Sequence, residues 1–240
     1  MIVAVAIVAA AYAANWGFNH TPWGLSLKSQ GQWYVFAFYL PFGVMVPAAY
    51  LGWVSRLRLA PARWLGAPLG DRDAVAAAVG FVVGGLLAVG ALAPVVREHG
   101  LALPHRLFAL LLIASTAEVL LFLGVLGNAV QLATRTHRWR ARLLALVVPS
   151  LAFGLFHFTY PAPWNTLGRA LPLTLVWVPV SMLLLASRSL VGAVILNNLL
   201  ALIGFVGNGI DLPGTAAAGW LRTALACALF VAVFFLTRRW

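Results

Sequence analysis

Between residues 107 and 133 the chain reads LFALLLIASTAEVLLFLGVLGNAVQLA, an unbroken apolar stretch with a single charged side chain, Glu118. A stretch of about 18 or more residues of this kind is long enough to cross a bilayer as a helix. The pattern recurs along the chain. Eight spans are expected, near 2–18, 33–54, 74–95, 107–133, 143–160, 170–187, 190–208 and 219–237. The apolar runs are continuous rather than alternating, which argues against a β-barrel. At 63% hydrophobic and 9% charged residues, 240 residues carry more apolar surface than a water-soluble domain of that size can hide. The expected fold is an all-α, polytopic transmembrane helix bundle, one membrane domain over residues 1–240.

Charge fixes the orientation of such a bundle. The net charge of +11 comes from arginines in short loops, not from a basic helix face, so it does not point to nucleic acid. The segments after spans 2, 4, 6 and 8 hold eleven of them: Arg56, Arg58, Arg63, Arg72, Arg135, Arg138, Arg140, Arg142, Arg188, Arg238 and Arg239. The other side holds Lys28, Arg97, Arg106 and Arg169, with Arg222 at the start of span 8. By the positive-inside rule both termini are cytoplasmic, and the membrane is expected to be a bacterial inner membrane. The basic tract 134–142 is read as an orientation anchor at the lipid headgroups. The first span lacks a basic leader region and is kept as a helix rather than a signal peptide. Residues 19–32 are expected as polar loop. Trp and Tyr at 16, 23, 33 and 34 suit an aromatic belt. Gly80 and Gly84 form a small-xxx-small pair that marks close helix packing.

Several chemistries are excluded early. Cys227 is the sole cysteine, so neither a disulfide framework nor a cysteine metal site can form within one chain. No H-E-x-x-H, phosphate-binding loop or dinucleotide fingerprint is present, and no cofactor is expected. His20, His99, His105 and His137 fall in loops or at span edges and are read as surface residues.

What remains is a small set of polar residues inside the spans. A carboxylate at a span centre costs about 2.5–3.5 kcal/mol on insertion scales, so an intramembrane acid is a functional hypothesis by default. Glu118 is the one acid so placed. Its alternative role is a hydrogen bond holding two helices together. Ser115 lies one turn earlier on nearly the same face and is a candidate to orient the carboxyl. In span 5, His157 shares a stripe with Phe153 and Ser150; its alternative role is a neutral imidazole bonded to a backbone carbonyl. In span 7, Asn197 and Asn198 are adjacent and point about 100° apart, so at most one aims squarely at a shared site. An acid, an imidazole and an amide suit water-assisted hydrolysis. The first two hold and deprotonate a water, and the amide donates to the developing oxyanion.

Three segments in this set resemble one family. EVLLFLGVL at 118–126, PSLAFGLFH at 149–157 and GAVILNNLLA at 192–201 are similar to the three motifs of the CPBP family, the CAAX prenyl protease-like intramembrane proteases. Those motifs are E-E-x-x-x-R, F-x-x-x-H and H-x-x-x-N/B. They align without gaps, in order, on separate spans, over roughly residues 105–208. The resemblance implies an intramembrane endopeptidase that cuts a membrane protein or a peptide with an apolar segment. It implies Glu118 and His157 on the catalytic water, Phe153 as the histidine's partner, and Asn198 as oxyanion donor; Ser115 and Asn197, placed by helix geometry rather than by the resemblance, are supporting candidates. Glu118 and His157 alone are too few ligands for a closed zinc site, so no metal is assigned.

Three positions depart from the family pattern. Val119 stands for the second Glu, Leu123 for the Arg and Val194 for the motif-three His. Positions 119 and 123 are helical neighbours, and replacing both members of a buried ion pair by apolar residues is often neutral. Val194 removes an imidazole donor, and loss of one oxyanion donor typically costs about 10²–10³ in rate. The chain is therefore a weakened or differently assembled protease, or a non-catalytic relative that binds membrane partners. A small transporter is a third reading, because intramembrane Glu and His also serve proton relays. Loop polarity places His157 toward the non-cytoplasmic end of its span, so the site is expected to open to that side.

Overall fold

The structure, a computed structural model, describes residues 1–29, 35–57, 71–100, 102–134, 138–162, 164–187 and 189–206. The eighth expected span, 219–237, lies outside the described residues, as does Cys227. Every regular element described is helical. They are α1 (Ile2–His20), α2 (Pro22–Ser29), a π-helical segment Val35–Met45 running into α3 (Val46–Arg56), α4 (Asp71–His99), and α5 (Ala102–Glu118). A second π-helical segment, Val119–Gly127, carries α5 into α6 (Asn128–Ala133). Then come α7 (Arg138–Phe156), a 3₁₀ turn His157–Thr159, α8 (Leu167–Ser187) and α9 (Leu190–Val206).

Five stretches are long and apolar enough to cross a membrane: Ile2–His20, Phe36–Val54, Leu107–Ala133, Arg140–Thr159 and Leu167–Leu185. Shorter apolar stretches, Ala74–Leu86 and Leu190–Gly204, lie where the third and seventh spans are expected. This set of helices is compatible with an integral membrane protein.

One expectation is corrected. Residues 19–32 are not all loop: α1 runs to His20 and Pro22–Ser29 forms a helix. The cause is a cap. The Thr21 hydroxyl accepts from the Gly24 N–H at 3.2 Å, and Pro22, which has no N–H to satisfy, occupies the first helical position.

Packing orders the helices. Leu107 and Leu111 cluster with Leu202, and Ser115 meets Asn198, so α5 and α9 run antiparallel. Phe122 touches Phe153 and Phe156, and a Cβ added at Gly127 would lie 3.3 Å from Pro149. The π segment after Glu118 is therefore antiparallel to α7. Phe153 on Trp177 and Ser150 on Ser181 pair α7 with α8, again antiparallel. Asn15 on Thr159 and Tyr12 on the Ala152 carbonyl set α1 parallel to α7. The helices alternate in direction as a polytopic bundle requires. His20, Ala102, His157 and Leu167 share one end; Arg56, Ala133, Arg140 and Ser187 share the other.

The small-residue pair does pack closely. A Cβ at Gly80 would lie 2.7 Å from the Gly192 carbonyl oxygen, and one at Gly192 would lie 2.6 Å from that of Ala76. A Cβ at Gly84 would meet Leu199. Bare backbone at these points lets α4 and α9 touch.

Candidate functional site

Glu118 lies midway along the central helix, at the last α-helical residue before the π-helical segment. Every residue from Ala109 to Val130 is buried. A π-helix is rare, and where one interrupts an α-helix it frequently marks a functional position. Flanking Ala117 and Val119 are sealed, whereas Glu118 keeps 8% of its surface exposed. Its Oε2 accepts a hydrogen bond from Asn197 Nδ2 at 3.0 Å. Its Oε1 takes none from the described residues.

Asn197 in turn accepts, through Oδ1, the indole N–H of Trp177 at 2.7 Å. Trp177 is buried on α8. It stacks on Phe153 with centroids 4.3 Å apart and planes 8° apart, and it meets Phe122 edge-on at 5.7 Å. Phe153 then leads to the imidazole. The Phe153 carbonyl pairs with His157 Nδ1 at 3.0 Å, and the two rings lie 4.8 Å apart. A carbonyl only accepts, so Nδ1 carries a proton, and whenever the ring is neutral its lone pair is on Nε2. Nε2 bonds to none of the described residues, and His157 is only half-buried.

His157 opens the 3₁₀ turn at the end of α7, which several groups hold. Tyr160 and Trp164 lie over the ring at 5.4 and 6.1 Å. The Tyr39 and Tyr160 hydroxyls are hydrogen-bonded to each other. Asn15 Nδ2 donates to Thr159 Oγ1 at 2.6 Å, and Asn19 Nδ2 donates to Asn15. Because Phe122 is beside Phe153 and Phe156, Glu118, about one turn earlier on the opposite-running chain, is level with the His157 turn. No direct hydrogen bond joins the two.

The expected residues thus divide. Glu118 and Asn197 are in contact, and Phe153 touches His157 as the stripe on span 5 predicts. Asn198 faces elsewhere: its Nδ2 donates to the Phe108 carbonyl at 2.9 Å and its Oδ1 accepts from Ser115 at 3.1 Å. Ser115 therefore serves Asn198 rather than the Glu118 carboxyl. The adjacent asparagines do split as their 100° separation requires, about one residue's rotation on a helix, but Asn197 is the one at the carboxylate. Val119, Leu123 and Val194 are all buried.

Trp177 is absent from the sequence reading. Its signal was available: a tryptophan in mid-span carries an N–H that needs a buried partner, whereas the chain's other tryptophans suit interfacial positions. Asn15 and Thr159, uncharged residues far apart in sequence, give no such signal.

Family models, curated proteins and solved structures were compared with this chain, and none matches. The resemblance to the CPBP motifs accordingly stands on the residues of the three segments.

Proposed function

We propose that this protein is an intramembrane endopeptidase of CPBP type that hydrolyses a peptide bond in a membrane-associated substrate. The observation that carries the reading is the Glu118 carboxylate. It sits at the middle of the most apolar of the long described helices, bonded on one oxygen only among the described residues, level with an imidazole whose Nε2 bonds to none of them. An acid held this way costs folding energy that an apolar residue would not, and a reactive role accounts for its presence.

In this mechanism a water lies between Glu118 Oε1 and His157 Nε2. As its oxygen attacks the peptide carbonyl carbon, one of the two bases takes its proton. The developing oxyanion needs a donor. Asn197 is better placed than Asn198, because its Nδ2 lies at the Glu118 carboxylate with a second hydrogen to give, whereas that of Asn198 is turned to the Phe108 carbonyl. The C–N bond then breaks as the proton passes to the departing amine nitrogen, and the bases return to their starting state. Asn198 acts as a fastener between α9 and α5.

The substrate is a membrane protein or a peptide with an apolar segment, reached from within the bilayer. The chain crosses a bacterial inner membrane eight times with both termini cytoplasmic. Reporter fusions in 19–32 and in 134–142 should land on opposite sides of the membrane; finding them on one side would break the topology.

A second reading has its own support. The Trp177–Asn197–Glu118 and Ser115–Asn198–Phe108 hydrogen bonds would equally suit a non-catalytic relative whose polar groups hold the bundle together and whose surface binds a membrane partner. Comparing membrane proteins from cells carrying wild type and Glu118→Gln separates the two. An unprocessed precursor accumulating in the variant supports the hydrolase; identical protein sets support the binder.

A further inference from the structure

We infer that Trp177 is a positioning residue whose indole N–H, through Asn197, dictates which atom meets Glu118, while its ring face supports the residue that carries His157. It touches neither reactive group, and it lies on α8, which contributes no residue to the three family-like segments.

The argument begins with the amide. The two ends of an Asn side chain are nearly isosteric, and only partners decide which way it points. Facing Glu118 with Nδ2 gives the carboxylate a donor. Facing it with Oδ1 sets lone pairs against lone pairs. Indole N–H is a donor and cannot accept, so at 2.7 Å from Trp177 the amide has to present Oδ1. Nδ2 is then left for Glu118, and it bonds there at 3.0 Å. The tryptophan thus excludes the wrong orientation of Asn197.

The same ring acts on the base. Its near-parallel stack against Phe153 fixes that side chain, and edge contact with Phe122 fixes it from the central helix. Phe153 supplies both the carbonyl that sets the His157 tautomer and the ring edge beside the imidazole. One buried indole therefore ties the acid on the central helix to the imidazole in the turn after α7. An indole N–H in an apolar interior is costly unless bonded, so the bond to Asn197 also stabilises Trp177 itself.

The inference rests on reading Glu118 as the reactive acid, but its test needs no substrate, so the two can fail separately. Infrared carboxyl bands of the full-length protein in lipid bilayers are assigned to Glu118 by difference against Glu118→Gln. Trp177→Phe keeps an aromatic face and removes the donor. It should shift the Glu118 bands, and Asn197→Leu should shift them too. In the Asn197→Leu background, Trp177→Phe should add no further shift, because the path through the amide is already cut. If the smaller ring unfolds the protein, β-(3-benzothienyl)alanine installed at position 177 keeps the bicyclic shape and lacks only the N–H. Unchanged Glu118 bands on loss of the indole N–H would overturn the inference. So would an equal shift with and without Asn197, the mark of a merely structural side chain.

Discussion

The central helix and α8 are built from similar residues and live in opposite surroundings. Both are long, apolar and able to cross a bilayer. Every residue from Ala109 to Val130 on the central helix is buried, whereas only 28% of the most apolar window of Leu167–Leu185 is. On α8 the buried positions Ala170, Trp177, Val180, Ser181 and Leu184 form one stripe at helical spacing. The remaining face, with Leu171, Leu175, Val176 and Met182, is exposed and apolar. In a bilayer that face meets lipid. Hydropathy does not separate the two cases, because lipid tails are as apolar as leucine. What separates them is the placement of polar groups. The most apolar of the long described helices is the one that can hold a carboxylate, because neighbouring helices rather than lipid supply its partners.

This contrast can be broken most readily by side-chain truncation. Phe122→Ala, which removes a sealed ring touching α1, α7 and α8, should lower stability by about 3–5 kcal/mol. Leu175→Ala, at a position 69% exposed, should stay within about 0.5 kcal/mol, because lipid fills the space. Unfolding titrations in mixed micelles would measure both. Comparable losses would mean that the helices are not differently covered.

Charge sharpens the same contrast. Val119 and Leu123 are sealed on the central helix, so Val119→Glu buries an unpartnered carboxylate and should cost about 3–5 kcal/mol. Adding Leu123→Arg should restore part of that loss, and a double-mutant cycle would read the coupling. A double variant no better than the sum of the singles would remove the idea that the two positions are a compensated pair.

Smaller effects are expected where helices meet through glycine. Gly192→Ala should cost about 1–3 kcal/mol, since its methyl meets the Ala76 carbonyl and α4 must move away. Gly85→Ala, with nothing within 4 Å, should instead stabilise by about 0.5–1 kcal/mol through its helix propensity. Equal signs at the two sites would contradict the close α4–α9 contact.

Much of this was legible in the sequence, and what was not has physical causes. The apolar runs announce their helices, because continuous hydropathy is a property of each segment alone. The Gly80/Gly84 contact was readable for the same reason. Glu118 and His157 stand out because ionisable groups in apolar spans are costly. The asparagines were harder. Their 100° divergence was foreseen, yet choosing the one that faces Glu118 requires the rotation of α9 about its axis, and that is set by Gly192 against Ala76 and by Ser115 against Asn198. For Trp177 the sequence shows only that its N–H needs a buried partner; the partners lie on three other helices. At Pro22–Ser29 the polarity of the segment points to loop, whereas Thr21 and Pro22 signal a capped helix.

The central claim is that the carboxylate inside the central helix is reactive rather than merely structural. The direct measurement is the cleavage rate of the precursor that accumulates with Glu118→Gln, using purified wild type and variant reconstituted in the same lipid vesicles. The account predicts cleavage by wild type and none above background by Glu118→Gln, with both proteins unfolding at the same denaturant concentration. Equal cleavage by the two proteins, or none by either, would contradict it.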